Sequence, residues 1–264
     1  MSKFNHLFKQ TEATDNFRVY SSDDNTARID FVSESCIRVA VYKKNSAMLP
    51  TFSVNPENKF LANGRNKLDT TGFSMYSPAV SDEGSTESFE FPNGIKVELQ
   101  KENFLLKYYK NDSVLFADRA PLAYNFENEF GKETYHYITR ADNERIFGLG
   151  DKGGKLNKAG SAFRIETTDC MGYDASESDP LYKHVPFYIC ENPVGCYGIF
   201  YDTSDTSYFD FGRAINNYYA PYKYFKTEDN ALVYYVFFGT KLSVLQQFTK
   251  MCGKQAFPPR WSFG

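Results

Sequence analysis

The sequence predicts an all-β protein built as an antiparallel sandwich, and three observations support this fold class. The 264 residues include 20 Tyr and 25 Phe against a single Trp, and aromatic residues favour strands. Short runs of alternating apolar and polar residues are separated by turn signals at nearly regular spacing, which is typical of sandwiches. Hydrophobic residues make up 42% of the chain, so a substantial core can form.

The first strands show the period of two that is typical of a sheet with one buried face. The run RIDFV places Ile29 and Phe31 on one face, and IRVAVY places Ile37, Val39 and Val41 on one face. We therefore predict two strands here whose alternate residues enter the core.

Two hairpins follow. FEFPNGIKVEL has alternating apolar residues on both sides of an Asn93-Gly94 turn, and FLLKYYKNDSVLF repeats the design with Lys110 to Ser113 as the turn. Later in the chain, four more runs predict strands: VPFYIC, YGIFYD, SYFDFG and ALVYYVFFG. Between the two groups, residues 148–183 have little periodicity, and we predict a long irregular loop of the kind that is usually functional.

One helix is predicted, near the C-terminus, in TKLSVLQQFTKMCG. Thr240 can cap its start and Gly253 can end it. Its apolar residues recur every third position, at Leu242, Leu245, Phe248 and Met251. The final run, FPPRWSFG, looks like the beginning of a further element rather than a finished terminus.

The run FGLGDKGGKLNKAG, residues 147–160, has glycines at the G-x-G-x-x-G spacing of a dinucleotide-binding turn. Such a turn opens a helix whose N-terminus holds pyrophosphate, whereas here Gly160 and β-type residues follow. A Walker loop is excluded because Leu156 replaces the required Ser or Thr and no glycine lies five positions before Gly154. We predict instead that these glycines let the backbone turn sharply beside another surface.

Charge, cysteines and apolar runs argue against several classes of partner. The net charge of -3 gives no basic field for nucleic acid. Five cysteines without a C-x-x-C pair argue against a disulfide framework and against a zinc site. No run approaches the ~18 apolar residues of a membrane span. We predict a protein without metal, cofactor, nucleic-acid or membrane partners, in a reducing, cytoplasmic setting.

Several motifs occur in order between residues 146 and 189: FGLGDK, NKAG, TTD and DPLYKHVPFYI. With them, the chain resembles the N-terminal domain of glycoside hydrolase family 31, the α-glucosidase family. FPPRWSFG resembles the segment that leads into the first strand of that family's catalytic (β/α)8 barrel. The resemblance implies a galactose mutarotase-like β-super-sandwich over residues 1–253 with an active-site loop over 148–183. Residues 254–264 would be the first segment of a barrel that is otherwise absent from the chain.

The same resemblance implies a retaining exo-α-glycosidase, with α-glucosidase as the leading activity. Such enzymes use two carboxyl groups about 5 Å apart. In the family both catalytic aspartates lie on the barrel, so this chain is expected to contain neither. Its expected partners are an oligosaccharide or α-glucoside substrate and the intramolecular barrel, and its expected role is to complete the leaving-group side of the pocket.

Two residues are predicted to contact substrate. Asp169 matches the aspartate with which the family's loop reaches the leaving-group sugar, and a carboxylate can accept hydrogen bonds from two sugar hydroxyls. The alternative is an ordinary loop aspartate held by local backbone N–H groups. By resemblance the ring of Tyr182 lines the same subsite, with packing at a domain interface as the equal alternative.

The other polar residues of this region are predicted to be structural. Asp179-Pro180 shapes a turn, Asp151 fixes the geometry of the loop, and His184 supports the loop beside the barrel. Three lysines of the glycine-rich run are predicted to be solvated loop charges, with interface salt bridges as the alternative: Lys152, Lys155 and Lys158.

Two other functions stay open at this point. A free-standing carbohydrate-binding module suits the fold and the aromatic count, although FPPRWSFG argues against it. A mutarotase-type epimerase needs a histidine acid and a carboxylate base on the concave face of the sheet. The three histidines, His6, His136 and His184, show no motif context for that chemistry.

Overall fold

The computed structural model of the protein describes residues 7–128, 131–215, 218–253 and 257–263. These parts form eighteen strands and one α-helix. In chain order they are β1 (Lys9–Ala13), β2 (Phe17–Ser21), β3 (Asn25–Ser33), β4 (Cys36–Lys43), β5 (Ala79–Asp82), β6 (Thr86–Phe91), β7 (Ile95–Gln100), β8 (Leu105–Lys110), β9 (Ser113–Ala117), β10 (Tyr124–Asn128), β11 (Gly131–Thr139), β12 (Arg145–Gly150), β13 (Ala162–Ile165), β14 (His184–Glu191), β15 (Cys196–Tyr201), β16 (Ser207–Asp210), β17 (Tyr222–Thr227), β18 (Ala231–Phe238) and α1 (Lys241–Cys252).

The strands form three antiparallel sheets. The large sheet has eight strands in the order β1-β2-β3-β4-β18-β15-β14-β12. The second sheet has five, β10-β11-β17-β16-β13, and the third has five, β5-β6-β7-β8-β9. The predicted fold class, an antiparallel all-β sandwich with one C-terminal helix, is confirmed.

Both predicted hairpins form. A three-residue turn, Pro92–Gly94, joins β6 to β7, and Asn93 takes a positive φ of 61° there. Asn111 and Asp112 join β8 to β9 with φ of 45° and 62°, and this two-residue turn pairs Lys110 with Ser113. Positive φ at both central residues matches the twist of the flanking strands.

The main core lies between the large sheet and the two smaller sheets. The five residues predicted to enter it are all fully buried: Ile29, Phe31, Ile37, Val39 and Val41. The opposite face of β4 and β18 is also buried, because α1 and the segment 48–75 cover it. All eight residues of β18 are therefore buried, and no alternation is visible there.

The helix begins and ends as predicted. Thr240 precedes it in an extended conformation, and its hydroxyl accepts a hydrogen bond from the backbone N–H of Ser243 at 3.2 Å. Gly253 follows it with a φ of 88°. In the described ranges, no helix has the length and apolarity that a membrane crossing requires.

The predicted apolar face of α1 is wrong in part. Leu242 and Leu245 are 65% and 45% exposed, whereas Val244, Phe248 and Met251 pack against the large sheet. An α-helix has 3.6 residues per turn, so residues spaced alternately four and three apart stay on one face. Residues spaced always three apart move progressively around the helix axis.

The last segment is only partly described. Residues 254–256 and 264 of the predicted barrel segment lie outside the described residues, as does His6. Arg260–Phe263 forms a short 3-10 helix. The assignment of 254–264 to a second domain stays a prediction.

Asp202, at the end of β15, gives a pH-dependence that can be tested. Its side chain is buried and accepts a hydrogen bond from Thr51 Oγ1 at 2.6 Å. Desolvation raises its pKa from the ordinary value of 3.8 to about 6, and the Thr51 hydrogen bond and the charges of Lys67 and Arg38 only partly oppose this. The folded state therefore binds this proton more tightly than the unfolded chain, and the group favours folding as the pH falls through 6.

We expect Asp202→Asn to raise the free energy of unfolding at pH 7 by up to ~3 kcal/mol, because the buried charge is removed. The gain should shrink steadily between pH 7 and pH 4. Urea unfolding at several pH values measures it, with exposed Asp142→Asn as the control. A constant difference between Asp202→Asn and the wild type across this range would contradict the assignment.

Candidate functional site

The irregular middle of the chain leaves and rejoins the large sheet at one edge. β12 and β14 are antiparallel neighbours, and Gly150 pairs with His184 where the intervening segment begins and ends. The predicted loop over 148–183 needs two corrections, since its first three residues belong to β12 and its middle contains β13. β13 pairs with β16 and buries Phe163 and Ile165, so the segment also reaches the second sheet.

Two irregular pieces remain, and we name them the glycine loop, residues 151–161, and the arm, residues 166–183. The glycines allow close backbone contacts, as predicted. A Cβ on Gly150 would lie 2.3 Å from the carbonyl oxygen of Lys183, and one on Gly153 would lie 2.8 Å from that of Ala175. Gly150 also has a φ of 77°. The glycine loop leads into a strand and opens no helix, so its geometry is not that of a phosphate cradle.

The arm presents both predicted site residues at the surface. Asp169 is exposed, and Tyr182 is 49% exposed. The Tyr182 hydroxyl donates to the carbonyl oxygen of Cys170 at 3.0 Å, and its ring meets that of Tyr173 edge to face at 5.9 Å. Desolvation raises the pKa of Tyr182, and the negative charge of Asp169 raises it further. The fold therefore brings Asp169 and Tyr182 together.

Asp169 differs from the other aspartates of the arm in its partners. Asp174 accepts hydrogen bonds from the backbone N–H and the hydroxyl of Ser176 at 2.7 and 2.6 Å and so shapes a tight turn. Within the described ranges, no backbone N–H donates to the Asp169 carboxylate. The local role that the alternative assigned to Asp169 is filled by Asp174, while contact of Asp169 with a sugar stays a prediction.

The lysines of the glycine loop do not behave alike. Lys155 is exposed, as predicted, but the Lys152 side chain has no exposed surface and Lys158 is buried. Lys152 Nζ pairs with the Asp179 carboxylate at 2.7 Å, and Lys158 Nζ donates to the carbonyl oxygen of Gly153 at 3.0 Å. The prediction of solvated charges is wrong for these two, because Lys152 pairs with Asp179 of the arm and Lys158 lies against its own loop and the ring of Phe163.

The remaining polar residues have structural surroundings. The backbone N–H of Asp151 donates to the carbonyl oxygen of Lys183 at 2.8 Å, which ties the start of the glycine loop to the end of the arm. Both ring nitrogens of His184 are enclosed. Desolvation lowers the pKa of His184 and the charge of Lys152 lowers it further, so the ring is neutral at pH 7. Asp179 does more than shape a turn, because it holds Lys152.

His136 lies inside the sandwich and bears on the epimerase alternative. Its ring is 1% exposed, with Nε2 at 3.0 Å from Asp118 Oδ1 and Nδ1 at 3.0 Å from the Tyr201 hydroxyl. Tyr124 stacks on it at 4.9 Å. A histidine so enclosed, with both nitrogens bonded, cannot exchange protons with a sugar in a groove.

The described residues of this sheet edge do not form a metal site, and the large cavity of the protein lies elsewhere. In the described parts of the chain, no group of three or more His, Cys, Asp or Glu side chains is arranged to hold a metal ion. A cavity of about 560 Å³ lies beside α1, lined by Met75, Phe237 and Met251 among others, and no arm residue lines it.

Large apolar side chains are exposed at several places in the described chain, including the arm, α1 and the last segment. On the arm, Met171 is 85% exposed; on α1, Leu242 and Leu245 are 65% and 45% exposed; near the end of the chain, Trp261 is 81% exposed. Exposed apolar groups of this size are typical of surfaces that dock onto another domain or protein.

A protein-family comparison gives one match. Residues 26–210 match the family described as the glycosyl hydrolase 31 N-terminal galactose mutarotase-like domain. Alpha-glucosidase 2 of Bacillus thermoamyloliquefaciens is 28% identical over 98% of this chain and 30% of its own length. Alpha-xylosidase XylQ of Lactiplantibacillus pentosus is 30% identical over 71% of this chain and 24% of its own length.

Solved structures of other proteins have a similar fold. A GH31 dextranase of Flavobacterium johnsoniae, complexed with glucose, superposes with a TM-score of 0.75 at 25% identity, over 98% of this chain and 29% of the dextranase chain. The catalytic subunit of ER glucosidase II is similar in fold, with a TM-score of 0.71 at 12% identity. The chain thus spans less than a third of the length of the first relatives it matches.

Proposed function

Because the chain belongs to the glycosyl hydrolase 31 N-terminal galactose mutarotase-like domain family, we propose that it completes the substrate pocket of a retaining exo-α-glycosidase. The observation that carries this proposal is the exposure of Asp169 beside Tyr182 on an arm clamped to the sheet edge. An exposed carboxylate next to an aromatic ring suits a sugar, since the ring packs on the apolar face and the carboxylate accepts from hydroxyls.

The proposed role is binding rather than bond cleavage. Asp169 would hold the leaving-group sugar and Tyr182 would line the same subsite. The nucleophile and the acid/base carboxyl would come from a catalytic barrel in the remaining length of the protein, about 5 Å from each other. The exposed Leu242, Leu245 and Met171 supply apolar surface against which such a barrel could pack.

We propose α-glucosidase as the activity, supported by the relative that is similar over 98% of this chain. α-Xylosidase is the second candidate, supported by the 30% identical relative over 71% of the chain. A reducing, cytoplasmic compartment is proposed as the setting because all five cysteines are free thiols.

Hydrolysis of p-nitrophenyl α-glycosides tests this proposal. The full-length protein should cleave the α-glucoside faster than the α-xyloside or α-galactoside, and this chain alone should cleave none of them. A full-length protein inactive on all three would contradict the proposal. Millimolar or tighter binding of maltose or isomaltose by this chain alone would favour the free-standing binding module instead.

A further inference from the structure

The arm is fixed at its base by an ion pair between an enclosed lysine and an aspartate whose side chain is 24% exposed. The side chain of Lys152 has no exposed surface although it belongs to a surface loop, and its Nζ lies 2.7 Å from Asp179 Oδ1. Lys152 lies at the start of the glycine loop and Asp179 near the end of the arm. The pair therefore joins the two ends of the irregular segment across 27 residues.

The same two side chains also hold β13. Lys152 Nζ donates to the carbonyl oxygen of Arg164, and the backbone N–H of Arg164 donates to Asp179 Oδ2 at 2.5 Å. Lys158 reinforces the loop beneath them by donating to the carbonyl oxygens of Lys152 and Gly153 at 3.2 and 3.0 Å. Three segments thus meet at one pair of opposite charges.

Opening this contact costs free energy because the Lys152 side chain is buried. Burial lowers the pKa of Lys152, while Asp179 opposes that shift. Separating the pair would leave the enclosed Lys152 ammonium without its carboxylate, which is unfavourable. The backbone bond from Asp151 to Lys183 holds only the last residue of the arm, and the hydrogen bonds of the Asp174 turn and of Tyr182 with Cys170 are short-range.

We propose that Lys152 and Asp179 are positioning residues that fix the arm so that Asp169 and Tyr182 face the leaving-group sugar. The effect on catalysis rests on the proposed function. The mechanical part, that the ion pair fixes the arm, concerns this chain alone. It predicts that loss of either partner frees the arm without unfolding the sandwich.

Limited proteolysis of this chain tests the mechanical part. Chymotrypsin should cut after the exposed Tyr173 at least ~10-fold faster in Asp179→Asn and in Lys152→Met than in the wild type, because the open arm becomes more populated. The double variant should be no faster than the faster single one, since both break one contact. Asp82→Asn, which breaks the exposed pair with Lys101, is the matched control and should not change the rate.

Two results would overturn the positioning role. One is a rate of cutting after Tyr173 within about twofold of the wild type in both variants. The other is equal acceleration at sites throughout the chain, which would mean that the pair supports the whole fold.

Kinetics of the full-length protein test the consequence for catalysis. Asp179→Asn should lower kcat/KM for an α-linked disaccharide by at least ~10-fold, mainly through KM, and that for the nitrophenyl glycoside of the same sugar by less than about threefold. The nitrophenyl substrate has no leaving-group sugar for the arm to hold. Equal losses on both substrates would overturn positioning. A wild-type protein with no glycosidase activity would instead overturn the proposed function, and proteolysis would still decide whether the pair holds the arm.

Discussion

Asp169→Asn in the full-length protein is expected to lower kcat/KM for an α-linked disaccharide by about 10- to 100-fold, because one charge-assisted hydrogen bond to the leaving-group sugar is lost. The nitrophenyl glycoside of the same sugar should be cleaved at close to the wild-type rate. Steady-state kinetics on the two substrates measure this, and the ratio between them removes differences in enzyme concentration.

The reason for this selectivity is the location of Asp169. Asp169 is exposed on the arm and no backbone N–H of the described residues donates to its carboxylate, which interacts with the Tyr182 side chain and can accept further hydrogen bonds from an incoming hydroxyl. Asparagine keeps the size and one acceptor but removes the charge. Glu177→Gln is the matched control, since Glu177 is an exposed acid of the same arm. An equal effect of both variants, or none for Asp169→Asn, would contradict the assigned contact.

Arg38→Met should lower the free energy of unfolding of this chain by about 3 to 5 kcal/mol, the largest loss of stability that we expect from one substitution outside the main apolar core. Arg38 lies in the centre of the large sheet and is fully buried. It pairs with Asp30 at 2.9 Å and donates to the carbonyl oxygens of Lys67, Leu68 and Asp69 at 2.9, 2.7 and 2.8 Å. Its loss leaves these carbonyl oxygens without their donor.

Urea unfolding measures the loss, and hydrogen exchange should show residues 65–73 opening first, because Arg38 ties this segment to the sheet. Arg145→Met is the control. Arg145 pairs with Glu191 at the surface, and an exposed pair contributes within about 1 kcal/mol. An Arg38→Met variant within ~1 kcal/mol of the wild type would show that the buried guanidinium does not hold the segment.

Ten of the eighteen strands were predicted from the sequence because each has a local pattern: β3, β4, β6 to β9, β14 to β16 and β18. Ile29 and Phe31 alternate with polar neighbours, and the Asn93-Gly94 and Asn111-Asp112 turns require positive φ, so local residues determined these elements. β13 was missed because its four residues are too short for a period to show. The buried face of α1 was mispredicted because a constant spacing of three residues was assumed, which placed Leu242 and Leu245 on it. The residue that packs against the sheet is Val244.

The candidate site was predictable only in part. Asp169 and Tyr182 are exposed and close together, and their contact with a sugar stays a prediction. No local pattern indicates that the Lys152 side chain is buried. Its partner Asp179 lies 27 residues away, and the two meet only because β13 returns the chain to the sheet edge. Contacts of this kind depend on tertiary structure, and a lysine in a glycine-rich run looks solvated without it.

The central claim is that the arm contacts substrate only when the rest of the protein is present. The reactivity of the Cys170 thiol tests this claim most directly. Cys170 is a partly exposed free thiol next to Asp169 in the sequence. Cys196, also partly exposed but on β15, is an internal reference, and desolvation raises its pKa to about 11. Alkylation by iodoacetamide can be followed at both thiols by peptide mass spectrometry, with and without saturating isomaltose or maltose.

The account predicts that sugar slows alkylation of Cys170 but not of Cys196 in the full-length protein, and slows neither in this chain alone. No protection of Cys170 in the full-length protein would contradict the account, because the arm would then not reach the bound sugar. Equal protection in the isolated chain would contradict it as well, because the sugar would then bind without a barrel.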